Sequence, residues 1–155
     1  MTRVMAQGAF DVLHPGHVHY LSESAALGDE LVVVLASDER VASRKQLYMD
    51  EESRREVVDA VEVVDEALVG NEGDIYDILD EVDPDVVTIG YDQDYDLEDL
   101  RASLAQRGYG DIEVVRVGEY DSSSAEQLSS SRIKASIFED GDVSPAPESV
   151  AEDDP

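Results

Sequence analysis

The stretch Gly8-Ala9-Phe10-Asp11-Val12-Leu13-His14-Pro15-Gly16-His17 joins an apolar strand pattern, Arg3 to Gln7, to an amphipathic helix pattern, His17 to Leu27. Glycine lets backbone approach a ligand closely, and a helix start offers unpaired amides and a partial positive charge, so this junction is built to receive a phosphate. His14 and His17 flank that point. Imidazoles donate hydrogen bonds to phosphate oxygens and offset the charge that builds when phosphorus is attacked. His19 stands two residues on, about 200° around the helix, and reads as structural.

Outward from this junction, apolar runs alternate with helical patterns. Strands are expected at Glu30 to Ala36, Ala67 to Val69, Asp85 to Ile89 and Ile112 to Val117, and helices at Asp50 to Val61, Ile75 to Val82, Leu97 to Arg107 and Ser130 to Phe138. Gly28 and Gly108 stand where helices should end, and Asp50 and Asp74 where they should be capped. Regular strand-helix alternation with uninterrupted aliphatic runs such as Leu31-Val32-Val33-Val34-Leu35 predicts an α/β fold, a doubly wound parallel five-stranded sheet with helices on both faces. Ligands bind such sheets beyond the carboxyl ends of the strands, near the switch in strand order. The walls of the site should therefore come from residues 8–16, 37–49, 70–74, 90–96 and 118–129.

A chain of 155 residues with 42% hydrophobic content suits one domain, expected over 1–138. From Glu139 to Pro155 it carries acids and three prolines but no basic residue, and reads as an acidic disordered tail. With 38 acidic and 11 basic residues the formal net charge is -27, which argues against nucleic acid or an anionic membrane as partner. The aliphatic runs argue that this charge sits on a folded surface, as expected for a halophilic protein in a salt-rich cytoplasm that screens carboxylate repulsion. There is no cysteine, hence no disulfide and no thiolate metal site. No apolar run nears the roughly 18 residues of a membrane span and no secretory signal opens the chain, so a cytoplasmic location is expected.

The few cations are concentrated. Arg40, Arg44, Lys45, Arg54 and Arg55 follow the second strand, and Arg132 and Lys134 open the last helix. Arg44-Lys45, in a loop after a strand, reads as an anion clamp, while Arg54 and Arg55 on a helix fit either a clamp or pairing with nearby carboxylates. Leu128-Ser129-Ser130-Ser131-Arg132 places hydroxyls and amides at a helix start on the same edge of the sheet, a second cradle for phosphate oxygens.

Gly8-Ala9-Phe10-Asp11 with His14-Pro15-Gly16-His17 and Leu21 resembles the HxGH signature of the cytidylyltransferase-like nucleotidyltransferase superfamily. Gly73-Asp74-Ile75-Tyr76, Asp83-Pro84-Asp85 and Gly90-Tyr91-Asp92-Gln93 are most similar to its archaeal-type FAD synthase branch, the FMN adenylyltransferases. The resemblance spans residues 2–138 and implies a Rossmann-like fold that turns ATP and FMN into FAD and pyrophosphate. It implies that Gly8, Ala9, Phe10, Asp11, His14, Pro15, Gly16 and His17 meet the triphosphate together with Ser130 and Ser131, and that Asp92 meets the nucleoside. His14, His17, Lys45 and Arg132 would be catalytic, the last two gripping the pyrophosphate. Three positions depart from the pattern: Ala9 replaces a hydroxyl residue, no proline follows Lys45, and Ser130-Ser131-Arg132 only approximates a Ser-Thr motif.

The implied reaction is in-line attack by an acceptor phosphate oxygen on the α-phosphorus, driven by positioning and charge stabilisation, with Asp11 orienting the loop rather than acting as a base. A divalent metal, magnesium or similar, should arrive with the triphosphate, and no protein ligand for it is identifiable. Two alternatives stay open. The same loop serves CTP-dependent cytidylyl transfer to glycerol 3-phosphate or another alditol phosphate, and the departures at Ala9 and beside Lys45 fit a nucleotide-binding module impaired in turnover. Relatives of this fold commonly pair, which makes a homodimer an open expectation.

Overall fold

Strand and helix alternate through residues 1–42, 47–70, 76–90 and 96–118, the parts of the chain that a computed structural model describes. The order is β1 (Arg3–Gly8), α1 (Pro15–Ala25), β2 (Glu30–Leu35), α2 (Asp38–Ala42), α3 (Glu51–Asp59), β3 (Glu66–Val69), α4 (Asp77–Val82), β4 (Val86–Ile89), α5 (Leu97–Gln106) and β5 (Glu113–Arg116). All strand pairs are parallel, in the order β3-β2-β1-β4-β5. The chain starts in the centre, winds out to β3, then returns across the centre to β4 and β5. The switch in strand order thus lies between β1 and β4, where the loop after β1 begins.

The aliphatic runs split by the two-residue period of a strand. Val4, Ala6, Leu31, Val33 and Leu35 share one core with Tyr20 and Leu21 of α1 and Val58 of α3. Met5, Val32, Val34, Val87 and Ile89 share the other with Ile78, Leu79 and Val82 of α4 and Leu104 of α5. A strand buried on both faces has no polar side, which is why these runs are continuous. Each fully buried aliphatic side chain contributes about 1.5–3 kcal/mol, so this two-sided core accounts for much of the folding drive.

Several local expectations are met and others shift. Asp50 caps α3, its carboxylate accepting the Ser53 amide at 2.8 Å. Gly108, at φ +90°, follows α5 in the left-handed conformation that favours glycine, whereas Gly28 serves a close approach, since a Cβ there would lie 2.7 Å from the Thr2 carbonyl oxygen. Helix α1 starts at Pro15, two residues ahead of expectation, because proline pre-sets the first helical φ and His14 caps it. Helix α2 occupies part of what reads as loop 37–49: the buried Ser37 hydroxyl accepts the Arg40 amide at 3.2 Å, and Asp38 and Glu39 supply the acidic first turn. Asp83-Pro84-Asp85 lies at the amino end of β4, away from the switch; Asp83 ends α4 at φ +52° and the Asp85 carboxylate accepts the Arg3 amide at 2.9 Å. Asp74, the expected helix 130–138 and the tail 139–155 lie outside the described residues.

Candidate active site

Eight of the expected site residues, Gly8 through Asp11 and His14 through His17, form one continuous turn from β1 into α1 at the sheet switch. His14 is extended, at φ -142° and ψ 171°, and 7% exposed. Its Nδ1 accepts the Gly16 amide at 3.0 Å, while the His14 amide donates to Nδ1 of His17 at 3.3 Å. The rings stack with centroids 3.8 Å apart and 28° between planes. A nitrogen that accepts a hydrogen bond carries no proton, so this pattern assigns both rings as neutral with the proton on Nε2. Each imidazole therefore has an Nε2–H as its donor.

This changes the donor inventory expected of a helix start. Pro15 has no N–H, the Gly16 amide is taken by His14, and the His17 amide donates to the His14 carbonyl at 2.9 Å. The helix end keeps its partial positive charge, but the first-turn donors pass from backbone amides to imidazoles.

Phe10 shapes the other side of the turn. It is buried, at φ +54°, a left-handed conformation that costs a bulky residue strain and persists only when its surroundings enforce it. Its ring meets His17 edge-on at 5.1 Å and stacks on Tyr20 at 6.4 Å. It also fills the space over Gly8, where a Cβ would stand 2.9 Å from its Cε2. Gly8 is thus demanded by the protein's own packing.

Two buried charges tie the turn to its neighbours. Asp11, 1% exposed, accepts the amides of Tyr48, at 3.0 and 3.1 Å, and of Met49, at 2.9 Å, which is the orienting role expected of it. Arg54, fully buried, donates from Nη1 to the carbonyls of Ala9 at 2.7 Å and Ala36 at 3.0 Å, from Nε to Met49 O at 3.2 Å, and from Nη2 to Asp38 Oδ1 at 2.8 Å. The exits of β1 and β2 and the chain entering α3 converge on one guanidinium. Between a clamp for a ligand and internal pairing, Arg54 takes the second role, and Arg55 pairs with Glu52 on the surface at 2.7 Å. Sequence patterns miss Arg54 as a hub because three of its four partners are carbonyls, which leave no trace in residue type. Sequence patterns miss Tyr20 likewise, since its buried hydroxyl bonds the Gln7 amide and the Thr88 carbonyl, both backbone groups.

Arg44, Lys45, Asp92, Ser130, Ser131 and Arg132 lie outside the described residues. Tyr48 and Met49, soon after Lys45 in sequence, are fastened by Asp11 and Arg54 beside the histidine turn. His19 bonds the Gly118 carbonyl at 3.1 Å, consistent with its structural reading. Among the described residues no group of three or more His, Asp or Glu could hold a metal ion, and no helix is long and apolar enough to cross a membrane.

Several known proteins are similar to this chain. The FAD synthase of Haloferax volcanii is 51% identical over 75% of this chain and 81% of its own, and that of Halorhabdus utahensis is 46% identical over 92% of this chain and all of its own. Among solved structures, a lipopolysaccharide core biosynthesis protein from Thermoplasma volcanium superposes with a TM-score of 0.75 at 46% identity, covering 78% of this chain and 99% of that one. Pantothenate synthetase from Thermus thermophilus, at 16% identity and a TM-score of 0.51 over 86% of this chain and 65% of its own, shares the fold alone. The cytidylyltransferase-like family matches residues 5–136, from β1 past the Ser-rich segment. A parallel sheet with its switch beside a paired-histidine helix start, matched over that span, makes this chain a member of the cytidylyltransferase-like family.

Proposed function

We propose that the protein is an FMN adenylyltransferase that transfers AMP from ATP to FMN, yielding FAD and pyrophosphate. The observation that carries this reading is the stacked histidine pair, both Nδ1 atoms accepting backbone amides, at the switch of a chain 43–51% identical to proteins named FAD synthase. An FMN phosphate oxygen attacks the α-phosphorus of ATP in line; that P–O bond forms as the bond to the bridging β-phosphate oxygen breaks, and pyrophosphate leaves. FMN phosphate is already anionic at neutral pH, so no strong base is needed. The Nε2–H groups of His14 and His17 stabilise charge on the phosphate oxygens, where they cost no reorganisation during reaction.

In this reading Lys45 and Arg132 hold the departing pyrophosphate, Ser130 and Ser131 bind phosphate oxygens, and Asp92 meets the nucleoside. Asp11, the carboxylate of the turn, faces two backbone amides, which suits an anchor better than a metal ligand. The divalent cation is accordingly part of the substrate, carried on the triphosphate with most of its waters, and neutralises charge there. The catalytic unit is residues 1–138, working in a salt-rich cytoplasm without nucleic acid or membrane, partners that a net charge of -27 would repel.

Pyrophosphate release tests the reading, with ATP or CTP paired with FMN or glycerol 3-phosphate in all four combinations. ATP with FMN should give turnover and FAD. Turnover confined to CTP with glycerol 3-phosphate would establish cytidylyl transfer instead, and silence in all four would leave a binding module.

A further inference from the structure

The two central strands do not pair along their whole length. The β1–β2 ladder runs to Gly8 and Leu35, but the β1–β4 ladder comprises Val4 with Val86 and Met5 with Val87. Beyond it a side chain joins the strands. The Tyr20 hydroxyl, on α1, accepts the Gln7 amide at 3.1 Å and donates to the Thr88 carbonyl at 2.8 Å. Thr88 Oγ1 donates to the same hydroxyl at 3.3 Å and is itself 2.8 Å from Ser24 Oγ. One consistent set of protons satisfies them all, Ser24 to Thr88 Oγ1 to Tyr20 to Thr88 O, with the Gln7 amide as the second donor to Tyr20. Tyr20 is 8% exposed, and Ser24 and Thr88 are fully buried.

We infer that Tyr20 is a positioning residue, a wedge whose hydroxyl sets the width of the crevice between the carboxyl ends of β1 and β4 and so the span a nucleotide must bridge. The inference rests on the nucleotide-binding part of the proposed function. Strand β1 leads into the histidine turn and β4 into Gly90, so a displacement between Gln7 and Thr88 passes directly to both walls of the site. The ring acts in the same direction as the hydroxyl. It stacks on Phe10, which meets His17 edge-on, which stacks on His14. Crevice width and imidazole orientation thus depend on one side chain that touches no substrate.

Tyr20→Phe keeps the ring and deletes the wedge, leaving the Gln7 amide and Thr88 carbonyl to close on each other or admit water. Thr88→Val is the control: it removes a hydroxyl from the same buried knot, with a stability loss of the same kind, but spares the Gln7–Tyr20–Thr88 carbonyl bridge. Calorimetric titration with magnesium-ATP and magnesium-CTP, well below either melting temperature, reads the consequence. Tyr20→Phe should bind the preferred nucleotide about tenfold more weakly, the loss expected when a two-walled site falls out of register by about one hydrogen bond, and Thr88→Val within threefold of wild type. Equal affinity of Tyr20→Phe and wild type, or equal weakening in both variants, overturns the wedge. Preference of the wild type for CTP overturns adenylyl transfer and leaves the wedge to be judged on CTP; binding of neither nucleotide overturns both. Should Tyr20→Phe fail to fold, hydrogen exchange at the wild-type Gln7 amide decides: protection is expected, and exchange at the rate of an open loop refutes the bridge.

Discussion

Replacing Arg54 by Met removes a guanidinium but keeps most of its apolar stem in a fully buried position. Three carbonyl oxygens, of Ala9, Ala36 and Met49, then lose their Arg54 donors. A buried polar group stripped of its partner costs about 1–3 kcal/mol, and at about 1 kcal/mol each the loss is about 3 kcal/mol. The ion pair to Asp38 adds little, because that carboxylate is 42% exposed and water can replace the pairing. For a domain of this size about 3 kcal/mol corresponds to a fall in Tm of roughly 10 °C. Activity should suffer separately, since Ala9 lies in the histidine turn and Met49 in the segment fastened beside it. At a temperature where both proteins are fully folded, pyrophosphate release should drop at least tenfold. Arg54→Lys should be intermediate, as an ammonium lacks the planar fork that reaches three carbonyls and a carboxylate together. Thermal melts followed by circular dichroism, paired with the turnover assay, decide the matter: a Tm within 2 °C of wild type, or a lysine variant indistinguishable from it, refutes the role of the fork.

Three further outcomes are expected. His14→Asn keeps an acceptor for the Gly16 amide but loses the Nε2–H, so turnover should fall at least 100-fold while Tm holds, and His14→Ala should in addition lose about 1 kcal/mol of capping; wild-type turnover in the Asn variant would remove His14 from the chemistry. The Asp50 carboxyl is held below the usual carboxylate range, first by the Ser53 amide and then by the Ser53 side chain. A depressed folded pKa gives stability that is present above the unfolded value near 4 and is lost as pH falls through the folded value, so Asp50→Ala should cost about 1 kcal/mol at pH 7 and progressively less below about pH 4; urea melts showing a constant difference would contradict this. Raising KCl from 0.1 to 2 M shrinks the screening length from about 10 Å to under about 3 Å, which should raise Tm in a chain of net charge -27, and equal melting in both salts would mean the surface carboxylates are already balanced.

Much of the architecture was legible because strands buried on both faces write themselves as aliphatic runs, 31–35 and 86–89 most clearly. The five-residue α2 was not, since a helix that short shows little more than its cap, and Ser37 before Asp38-Glu39 was the available sign. The start of α1 at Pro15 is hard to read in sequence because histidine is not among the usual capping residues. In the site, residue types marked the histidine turn at the sheet switch. They did not mark what holds it, because Arg54 and Tyr20 act on backbone groups brought together only by folding.

The reciprocal cap at His14 and His17 makes the putting-together of helix α1 and the presentation of two imidazoles a single event. A descendant of this chain that no longer turned over nucleotides would still be under pressure to keep a side-chain acceptor at both positions, because losing the two acceptors weakens the first turn of a helix packed on the central strand. An acceptor kept at positions 14 and 17 in such lineages therefore measures folding, whereas imidazoles kept there, with asparagine able to cap as well, measure chemistry. The positions free to report a change of trade are those with no such second duty, and the side chain of residue 9, where this protein already carries alanine, is one: Arg54 grips only its carbonyl, which every amino acid supplies.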